Sequence, residues 1–246
     1  MPENNTEFKA RKQRDIKAMS ADQEFRDVSR DWFVRSIQHR YSYNFCWMGL
    51  PIIQYPGDII ALQELIWQIR PRAIIETGVA RGGSLLFYAS MLELLGSDGL
   101  VVGVELSLSD ENRASIESQP LARRIKLVDG SSVSLAAVAA TKLAVANRGP
   151  VLVTLDSNHT HDHVLAELRA YSSLVRHGSY IVVFDTVIEE LPPIAIGERP
   201  WGTGNSPKSA VAAFLAETNR FEIDHSFDDR LLLSVCPGGF LRCIRD

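Results

Sequence analysis

The segment AIIETGVARGGS at residues 73–84 constrains the fold of this chain more than any other stretch. It begins with a short apolar run of the length expected for a buried parallel strand. It then turns at Gly78 and passes Gly82 and Gly83 into an apolar stretch that predicts a helix. Glycine permits a sharp turn and a close approach to a ligand because it has no Cβ, and Ser84 is placed to cap the helix. A strand, a glycine loop and a helix in this order predict the first unit of a nucleotide-binding α/β sheet.

Acidic residues at the ends of the first two predicted strands narrow the choice of ligand. The glycine spacing matches neither the dinucleotide fingerprint nor the phosphate loop, and Glu76 ends the first strand. An acid there suits a cationic or hydroxyl-bearing ligand, which we expect the loop, including Arg81, to bind. A second apolar run ends at Glu105, whose carboxylate can accept both hydroxyls of a ribose. Together these features resemble class I S-adenosylmethionine-dependent methyltransferases, with a domain for NAD or another nucleotide as the alternative.

Strand and helix patterns alternate five times along the chain. The predicted strands cover residues 73–75, 100–104, 125–128, 151–155 and 180–184. The predicted helices cover residues 58–70, 85–95, 131–146, 163–176 and a segment that begins at residue 206. Two late strands, 221–226 and 231–235, follow in close succession, and 240–244 is predicted to pair briefly. This order predicts an α/β fold with a Rossmann-like, mostly parallel sheet, an antiparallel edge strand and helices on both faces.

Length and patterning divide the 246 residues into an extension and one domain. We predict an N-terminal extension over residues 1–40, with a poorly ordered tip and an amphipathic helix over 21–40. The methyltransferase-like domain is then residues 41–246. Its first part, residues 41–56, is rich in aromatic side chains and irregular. This segment either packs against the sheet edge or forms a wall of a substrate pocket.

Composition excludes several classes of partner. The net charge of −4 and the isoelectric point of about 5.9 give no electrostatic reason to expect nucleic acid. The three cysteines are too few and too scattered for a disulfide framework or a zinc site. The chain start lacks the apolar core of a signal peptide, and no apolar run approaches the roughly 20 residues of a membrane span. We therefore expect a cytoplasmic protein without a membrane span, and leave open whether it forms a homo-oligomer.

The later strand ends also carry acids, at Asp129, Asp156 and Asp185. Ligands of open α/β sheets bind outside the carboxyl ends of the strands. By resemblance to the methyltransferase class, Asp129 is expected to contact the adenine amino group. Asp156 and Asp185 end strands near the middle of the predicted sheet, so their carboxylates can converge. Two carboxylates with water suit Mg²⁺ better than zinc.

Three histidines at alternate positions follow Asp156, in the segment DSNHTHDH. We predict that His159 acts as a general base near neutral pH and that His161 is a second catalytic candidate. His163, which begins a helix, is interpreted as structural. An iron site with two histidines and one carboxylate also fits this composition.

Four segments together resemble the cephalosporin hydroxylase / rhamnosyl O-methyltransferase family over roughly residues 40–246. They are RPRAIIETGVARGGS at 70–84, LDSNHTH at 155–161, Asp185, and RPWGTGN at 199–205. The resemblance implies a Mg²⁺ ion beside the cofactor methyl group, held by the acids after the fourth and fifth strands. Some relatives carry Glu-Asp after the fifth strand, where this chain has Phe184 and Asp185 and hence one carboxylate fewer.

The function expected from the residues and the resemblance is Mg²⁺-assisted methyl transfer from S-adenosylmethionine. The acceptor is expected to be a hydroxyl of a sugar or small polyol, in the assembly of a cell-surface glycan or natural product. Two alternatives stay open: an iron-dependent hydroxylase that uses the His-x-His segment, and a non-catalytic partner subunit that keeps the fold.

Overall fold

The computed structural model describes residues 4–246, which form a seven-stranded sheet with helices on both faces and a separate two-stranded hairpin. The hairpin strands are β1 (Cys46–Trp47) and β2 (Leu50–Pro51). The sheet strands are β3 (Ala73–Thr77), β4 (Leu100–Glu105), β5 (Ile125–Asp129), β6 (Val151–Leu155), β7 (Tyr180–Val183), β8 (Phe221–Ile223) and β9 (Phe240–Cys243). The helices are α1 (Asn5–Ala21), α2 (Gln23–Gln38), α3 (Pro56–Ile69), α4 (Gly83–Leu94), α5 (Asp110–Glu117), α6 (Leu135–Ala144), α7 (His161–Tyr171), α8 (Pro193–Ile196), α9 (Pro207–Glu217) and α10 (His225–Arg230). Across this part of the chain no helix has the length and apolarity to cross a membrane.

The strands lie in the order β5-β4-β3-β6-β7-β9-β8. The first five are parallel, whereas β9 runs antiparallel to both of its neighbours. In the centre Ala73 lies opposite both Leu100 and Val151, so β3, β4 and β6 start level with one another. Their carboxyl ends therefore meet at one edge of the sheet. The predicted sheet, parallel with an antiparallel edge, is confirmed.

Two hydrophobic cores cover the two faces of the sheet. Side chains of a strand alternate between faces, and β3 shows this directly because Ile74 belongs to one core and Ala73 and Ile75 to the other. Helices α3 and α4 pack on the first face, and helices α6, α7 and α9 pack on the second. All five residues of β3 and of β6 are buried, as expected for strands covered on both sides. Because each face of the sheet is covered by a hydrophobic core, the buried strands β3 and β6 consist largely of consecutive apolar residues.

The N-terminal region is helical where the sequence predicted a poorly ordered tip followed by one helix. Helix α1 begins with a capping box in which the Asn4 side chain and Glu7 exchange hydrogen bonds with each other's backbone amides. The predicted helix over 21–40 is present as α2, which buries Phe33 and Ser36. The Ser36 hydroxyl lies 2.6 Å from the Tyr55 hydroxyl, which joins α2 to the segment before α3. The prediction of disorder is thus wrong for the residues of α1, and residues 1–3 lie outside the described part.

The C-terminal strands differ from the prediction. Residues 231–235 form no strand, and the preceding residues form α10, which Asp224 caps by accepting a hydrogen bond from Ser226. The amide of Val235 instead donates to the buried Asp58 carboxylate at 3.0 Å, which ties this segment to α3. Strand β9 pairs with β7, and the Gly239 carbonyl before it accepts a hydrogen bond from the Val183 amide at the end of β7. The Gly239 amide closes the preceding turn by donating to the Cys236 carbonyl. The continuous apolar run at 231–233 therefore packs against α3 and is not part of a strand.

Candidate active site

The loop after β3 requires glycines because neighbouring parts of the chain leave no room for a Cβ atom. Gly78 has φ +84°, and a Cβ on it would lie 2.1 Å from the backbone oxygen of Asp156. A Cβ on Gly82 would lie 2.3 Å from the Ile116 side chain, and one on Gly83 would lie 2.3 Å from the Pro51 carbonyl oxygen. The loop is thus wedged between the end of β6, α5 and the hairpin. The prediction that the same glycines let the backbone approach a ligand remains a prediction.

The carboxylate of Glu105 holds this loop in place. Its Oε2 atom accepts hydrogen bonds from the amides of Val79 at 2.8 Å and Ala80 at 3.2 Å. Its Oε1 atom accepts only a long bond from the Ser107 amide, at 3.3 Å. Glu105 is partly exposed at the end of β4, where the sequence analysis placed it. Arg81, at the tip of the loop, is exposed and contacts the Asn112 side chain at 3.4 Å.

Glu76 is buried behind the loop, with 2% of its surface exposed. The Ser84 hydroxyl donates to its Oε2 atom at 2.8 Å. Burial raises the pKa of the Glu76 carboxyl to about 8, and the nearby Glu105 charge adds to the shift. The predicted capping role of Ser84 is wrong, because Gly82 is the N-cap residue of α4. The Ser84 hydroxyl donates its hydrogen bond to Glu76 instead. A cation placed beside Glu76 would stabilise its charged form.

Asp129 ends β5, at the outer strand of the sheet. Its side chain is 70% exposed and forms an ion pair with Arg113 of α5. The structure therefore places it on the same edge as Glu76 and Glu105, at the far end of the row from the centre of the sheet. Whether Asp129 contacts adenine stays a prediction.

Asp156, His159 and Asp185 converge at the ends of β6 and β7, as the sequence predicted for the two aspartates. One ligand atom from each residue lies within 4.8 Å of the others. The His159 Nε2 atom is 3.3 Å from the Asp185 Oδ2 atom. Burial, followed by the neighbouring charge of Asp185, raises the pKa of Asp156 well above its ordinary range. Two crowded carboxylates of this kind are stabilised by a cation between them.

Asp185 has a strained backbone conformation, and the side-chain amide of Gln54 binds Asp156. Asp185 adopts φ 57°, in the left-handed region that residues other than glycine rarely enter. Gln54 donates from Nε2 to the Asp156 Oδ2 atom at 3.0 Å, and its own Oε1 atom is buried with no hydrogen-bond partner within residues 4–246. Ile53, immediately before it, has φ 50°, which is strained for a β-branched residue. Sequence analysis missed Gln54, because nothing in the aromatic segment marks one amide as a partner of a distant strand end.

The structure separates the three histidines. His161 Nδ1 lies 2.8 Å from the Ser209 hydroxyl, and the His161 amide donates to the Asn205 side chain at 2.8 Å, so this residue joins α7 to α9. His163 Nε2 lies 3.0 Å from the Ser132 hydroxyl. Neither belongs to the cluster, and within the described residues the potential metal ligands of that cluster are one histidine and two carboxylates. The predicted catalytic role of His161 therefore lacks the geometry that His159 has.

A cavity of about 210 Å³ opens beside His159 and Asp185. Its walls come from α2, from the segment before α3, and from residues 187–201. Aliphatic and aromatic side chains both line the cavity. Trp201 meets the His159 ring edge-on at 4.7 Å between centroids. The aromatic lining consists of Phe33, Tyr43, Tyr55 and Trp201. Tyr55, in the segment 41–56, is buried in the core and also lines this cavity, so the packing interpretation is confirmed for it. That the cavity is a substrate pocket stays a prediction.

Comparison with known protein families identifies the chain. Residues 39–244 match the model of the family described as Rhamnosyl O-methyltransferase/CmcI. The chain belongs to this family. The resemblance inferred from the glycine loop, the DSNHTH segment and Asp185 is thereby confirmed. The match begins two residues before the predicted domain boundary at 41 and includes every site residue that the sequence predicted.

Relatives and solved structures agree with this membership. The Rhamnosyl O-methyltransferase of Mycobacterium tuberculosis (strain ATCC 25618 / H37Rv) is 28% identical over 214 residues, which are 82% of this chain and 82% of the relative. The Rhamnosyl O-methyltransferase of Mycobacterium leprae (strain TN) is 28% identical over 213 residues, covering 82% and 87%. A structure of CmcI with SAH superposes with a TM-score of 0.58 at 20% identity, covering 81% of this chain and 82% of CmcI. A structure of CmcI with Mg and SAM gives 0.56 at 19% identity, covering 82% and 77%. These superpositions confirm the class I methyltransferase fold.

Proposed function

We propose that this member of the Rhamnosyl O-methyltransferase/CmcI family is an S-adenosylmethionine-dependent O-methyltransferase that uses Mg²⁺ at Asp156 and Asp185. The acceptor is a hydroxyl of a sugar or another small polyol. The observation that carries the proposal is the packing of the glycine loop against the metal-ligand cluster. The Cβ that Gly78 lacks would lie 2.1 Å from the backbone oxygen of Asp156, so the two parts of the site are in direct contact.

The relatives support the choice of reaction. Those at 28% identity are named Rhamnosyl O-methyltransferase, and the alignment covers more than four-fifths of both chains. Structures of CmcI, which shares the fold, contain Mg and SAM or SAH. A rhamnosyl group is a sugar with several hydroxyls, which is the kind of acceptor that the sequence analysis expected.

The residues beside the glycine loop fit S-adenosylmethionine. This cofactor carries an ammonium group and a ribose with two hydroxyls. Glu76 is a buried carboxyl whose charged form a neighbouring cation would stabilise. Glu105 uses one oxygen for the loop amides, while its second oxygen accepts a single long bond and has capacity for a ribose hydroxyl. Asp129 lies further along the same edge, toward the adenine end in this assignment.

The donor set at the end of β6 and β7 fits Mg²⁺. Carboxylate oxygens are the ligands that this ion prefers. Burial, followed by the charge of Asp185, raises the pKa of Asp156, and a cation bound there would offset both effects. The buried and unpartnered Oε1 atom of Gln54 is a further neutral oxygen at the same place. When bound, Mg²⁺ lowers the pKa of a hydroxyl that contacts it.

His159, Asp185 and the walls of the cavity each have a role in the proposed methyl transfer. His159 faces both the cluster and the cavity, and we assign it the proton of the acceptor hydroxyl. Asp185, 3.3 Å from the His159 Nε2 atom, orients the imidazole and stabilises it once protonated. The aromatic walls of the cavity hold the acceptor, and the resulting orientation supplies much of the rate.

The two alternative functions are less well supported. An iron-dependent hydroxylase needs two histidines and one carboxylate around the metal, whereas the described cluster has one histidine and two carboxylates. A non-catalytic partner subunit would have no use for the intact cluster beside the cavity.

Calorimetric titration with S-adenosylmethionine and, separately, with 2-oxoglutarate tests the proposal. The account predicts binding of S-adenosylmethionine alone, and transfer of its labelled methyl group to one member of a panel of sugars when Mg²⁺ is present. Binding of 2-oxoglutarate without S-adenosylmethionine would reject the methyltransferase assignment in favour of the oxygenase.

A further inference from the structure

Two arginines line the cavity beside His159 and Asp185 without an ion-pair partner. Arg40 and Arg199 both contribute to its walls. Their guanidinium groups lie over aromatic rings, Arg40 at 4.3 Å from the centroid of Tyr43 and Arg199 at 5.3 Å from that of Trp201. Neither lies within 4.0 Å of a carboxylate of residues 4–246. Within residues 4–246 the guanidinium N–H groups of both arginines make no hydrogen bond, so they are free for a ligand.

This lack of partners contrasts with other arginines on the same side of the molecule. The chain has 30 acidic and 26 basic residues, so acidic partners are plentiful. On α2, Arg35 pairs with Asp31 at 2.9 Å and Arg30 lies 3.9 Å from Glu190. Arg40 follows the same helix but turns toward the cavity, with φ 51°. The cavity therefore combines positive charge with an aromatic lining.

The carboxylates of the metal-ligand cluster, of which Asp185 lines the cavity, do not account for these arginines. Asp156 and Asp185 are the ligands of Mg²⁺ in the proposed function, on which this step rests, and the ion would offset their charge. Arg199 is connected to the cluster only through Trp201, whose ring meets His159 edge-on. The positive charge of Arg40 and Arg199 then remains for the acceptor itself.

We propose that the acceptor carries an anionic oxygen group, a carboxylate or a phosphate ester, which Arg40 and Arg199 bind while a hydroxyl of the same molecule reaches His159. Arginine presents paired donors that match the oxygens of both groups. An acidic or phosphorylated sugar is accordingly preferred over its neutral counterpart. The arginines act on binding and leave the cofactor side of the site unchanged.

Three sugars of matched shape test this charge preference. They are methyl glucoside, methyl glucuronide with a carboxylate at the sixth carbon, and the glucoside with a phosphate at that carbon. Their affinities are measured by calorimetry for the full chain saturated with SAH and Mg²⁺. A hydrogen bond to a charged group contributes enough for a preference of roughly 10- to 100-fold. We expect at least one of the two anionic sugars to bind roughly 10- to 100-fold more tightly than methyl glucoside. The anionic sugar with the higher affinity shows whether the arginines prefer a carboxylate or a phosphate.

Variants assign the preference to the two arginines. Arg40→Gln and Arg199→Gln should each reduce it, and the double variant should abolish it while SAH binding stays as in the wild type. Arg35→Gln is the matched control, since it removes one charge from α2 outside the cavity, and it should keep the full preference. Equal affinity for all three sugars, no detectable binding of either anionic sugar, or a preference that survives the double variant would overturn the inference.

The same titrations separate this inference from the proposed function. If SAH fails to bind but the anionic sugar still binds through Arg40 and Arg199, the methyltransferase proposal fails and the inference stands. If SAH binds and charge makes no difference, the inference fails and the methyltransferase proposal stands.

Discussion

In the proposed function His159 accepts the proton of the acceptor hydroxyl. Its Nε2 atom is 3.3 Å from Asp185, and its ring is in contact with Trp201 at the cavity wall. His159→Gln keeps the approximate size but cannot accept the proton, so we expect kcat to fall by roughly 10²–10⁴. His161→Gln is the matched variant, because that histidine contacts Ser209 and not the cluster. It should lose less activity.

The pH profile distinguishes a base from a metal ligand at this position. If His159 is the base, the acid limb of the wild-type kcat profile disappears in His159→Gln while Mg²⁺ affinity is kept. A variant that loses Mg²⁺ instead would make His159 a ligand and reassign the proton to another group.

Glu105 is expected to bind the cofactor ribose while it holds the glycine loop. Glu105→Gln weakens both sets of hydrogen bonds, so the affinity for S-adenosylmethionine should fall roughly 10- to 100-fold. Asp98→Asn is the control, since Asp98 pairs with Arg72 at the opposite end of β4. Calorimetry should find its affinity unchanged, and an unchanged affinity of folded Glu105→Gln would remove Glu105 from the cofactor site.

Glu76 makes the stability of the cofactor-free protein depend on pH. The pKa of its carboxyl is about 8 in the fold, against an ordinary 4.5. Between these values the folded state keeps a proton that the unfolded chain has lost, so stability falls as pH rises through this window. Glu76→Gln cannot ionise and keeps an oxygen for Ser84. We expect its Tm to exceed that of the wild type by several degrees at pH 8.5 and to match it at pH 5. An equal difference in Tm at pH 5 and pH 8.5 would contradict a buried Glu76 carboxyl with a raised pKa.

At the scale of elements, the junction between the β3–α4 loop and the end of β6 is the most tightly constrained part of the site. Gly78→Ala would place a Cβ 2.1 Å from the Asp156 oxygen at a positive φ. Gly96→Ala also has a positive φ but meets nothing within 4 Å. We expect Gly96→Ala to cost about 1 kcal/mol of unfolding free energy and Gly78→Ala to cost clearly more, as overpacking adds roughly 1–3 kcal/mol. Urea unfolding of both variants measures the difference, and equal costs would mean that the loop can move away from Asp156.

The elements that local sequence could predict are those whose signal is periodic and buried. The five parallel strands and the loop at Gly78 were found because apolar runs end at acids or glycines. Residues 231–235 were misassigned because a short continuous apolar run does not distinguish a strand from an irregular segment packed on α3. Helix α1 was missed because it is highly polar, and its capping box at Asn4 and Glu7 is a short local pattern.

The same limit applies to the site. Asp156, Asp185 and His159 could be predicted because each lies at or just after a strand end, where parallel strands bring ligands together. Gln54 and Phe33 could not, because they come from distant segments whose contacts with the site depend on tertiary packing. Arg81 was included with the loop, yet its side chain is exposed and contacts only Asn112 in the structure.

At the scale of the whole molecule, one edge of the sheet carries two half-sites. Strands β3, β4 and β5 carry Glu76, Glu105 and Asp129 at or near their carboxyl ends. Asp156 and Asp185 follow β6 and β7, and α2 contributes to the wall of the cavity beside Asp185. In the proposed function α2 therefore lies on the acceptor side, whereas the sequence predicted it as part of an extension. Changes in α2 are expected to affect acceptor affinity, and changes at the glycine loop to affect cofactor affinity.

In the proposed function a Mg²⁺ ion lies at the boundary between the two half-sites, and titration of Mg²⁺ into SAH-saturated protein measures whether it binds there. Wild type should bind one equivalent. Asp156→Asn and Asp185→Asn should each weaken Mg²⁺ by more than the roughly 10- to 100-fold that loss of an outer-shell partner costs, with SAH affinity retained. Asp162→Asn, an exposed acid in the first turn of α7, should bind Mg²⁺ as the wild type does. Absence of Mg²⁺ binding to the wild type, or equal binding by all four proteins, would contradict the account.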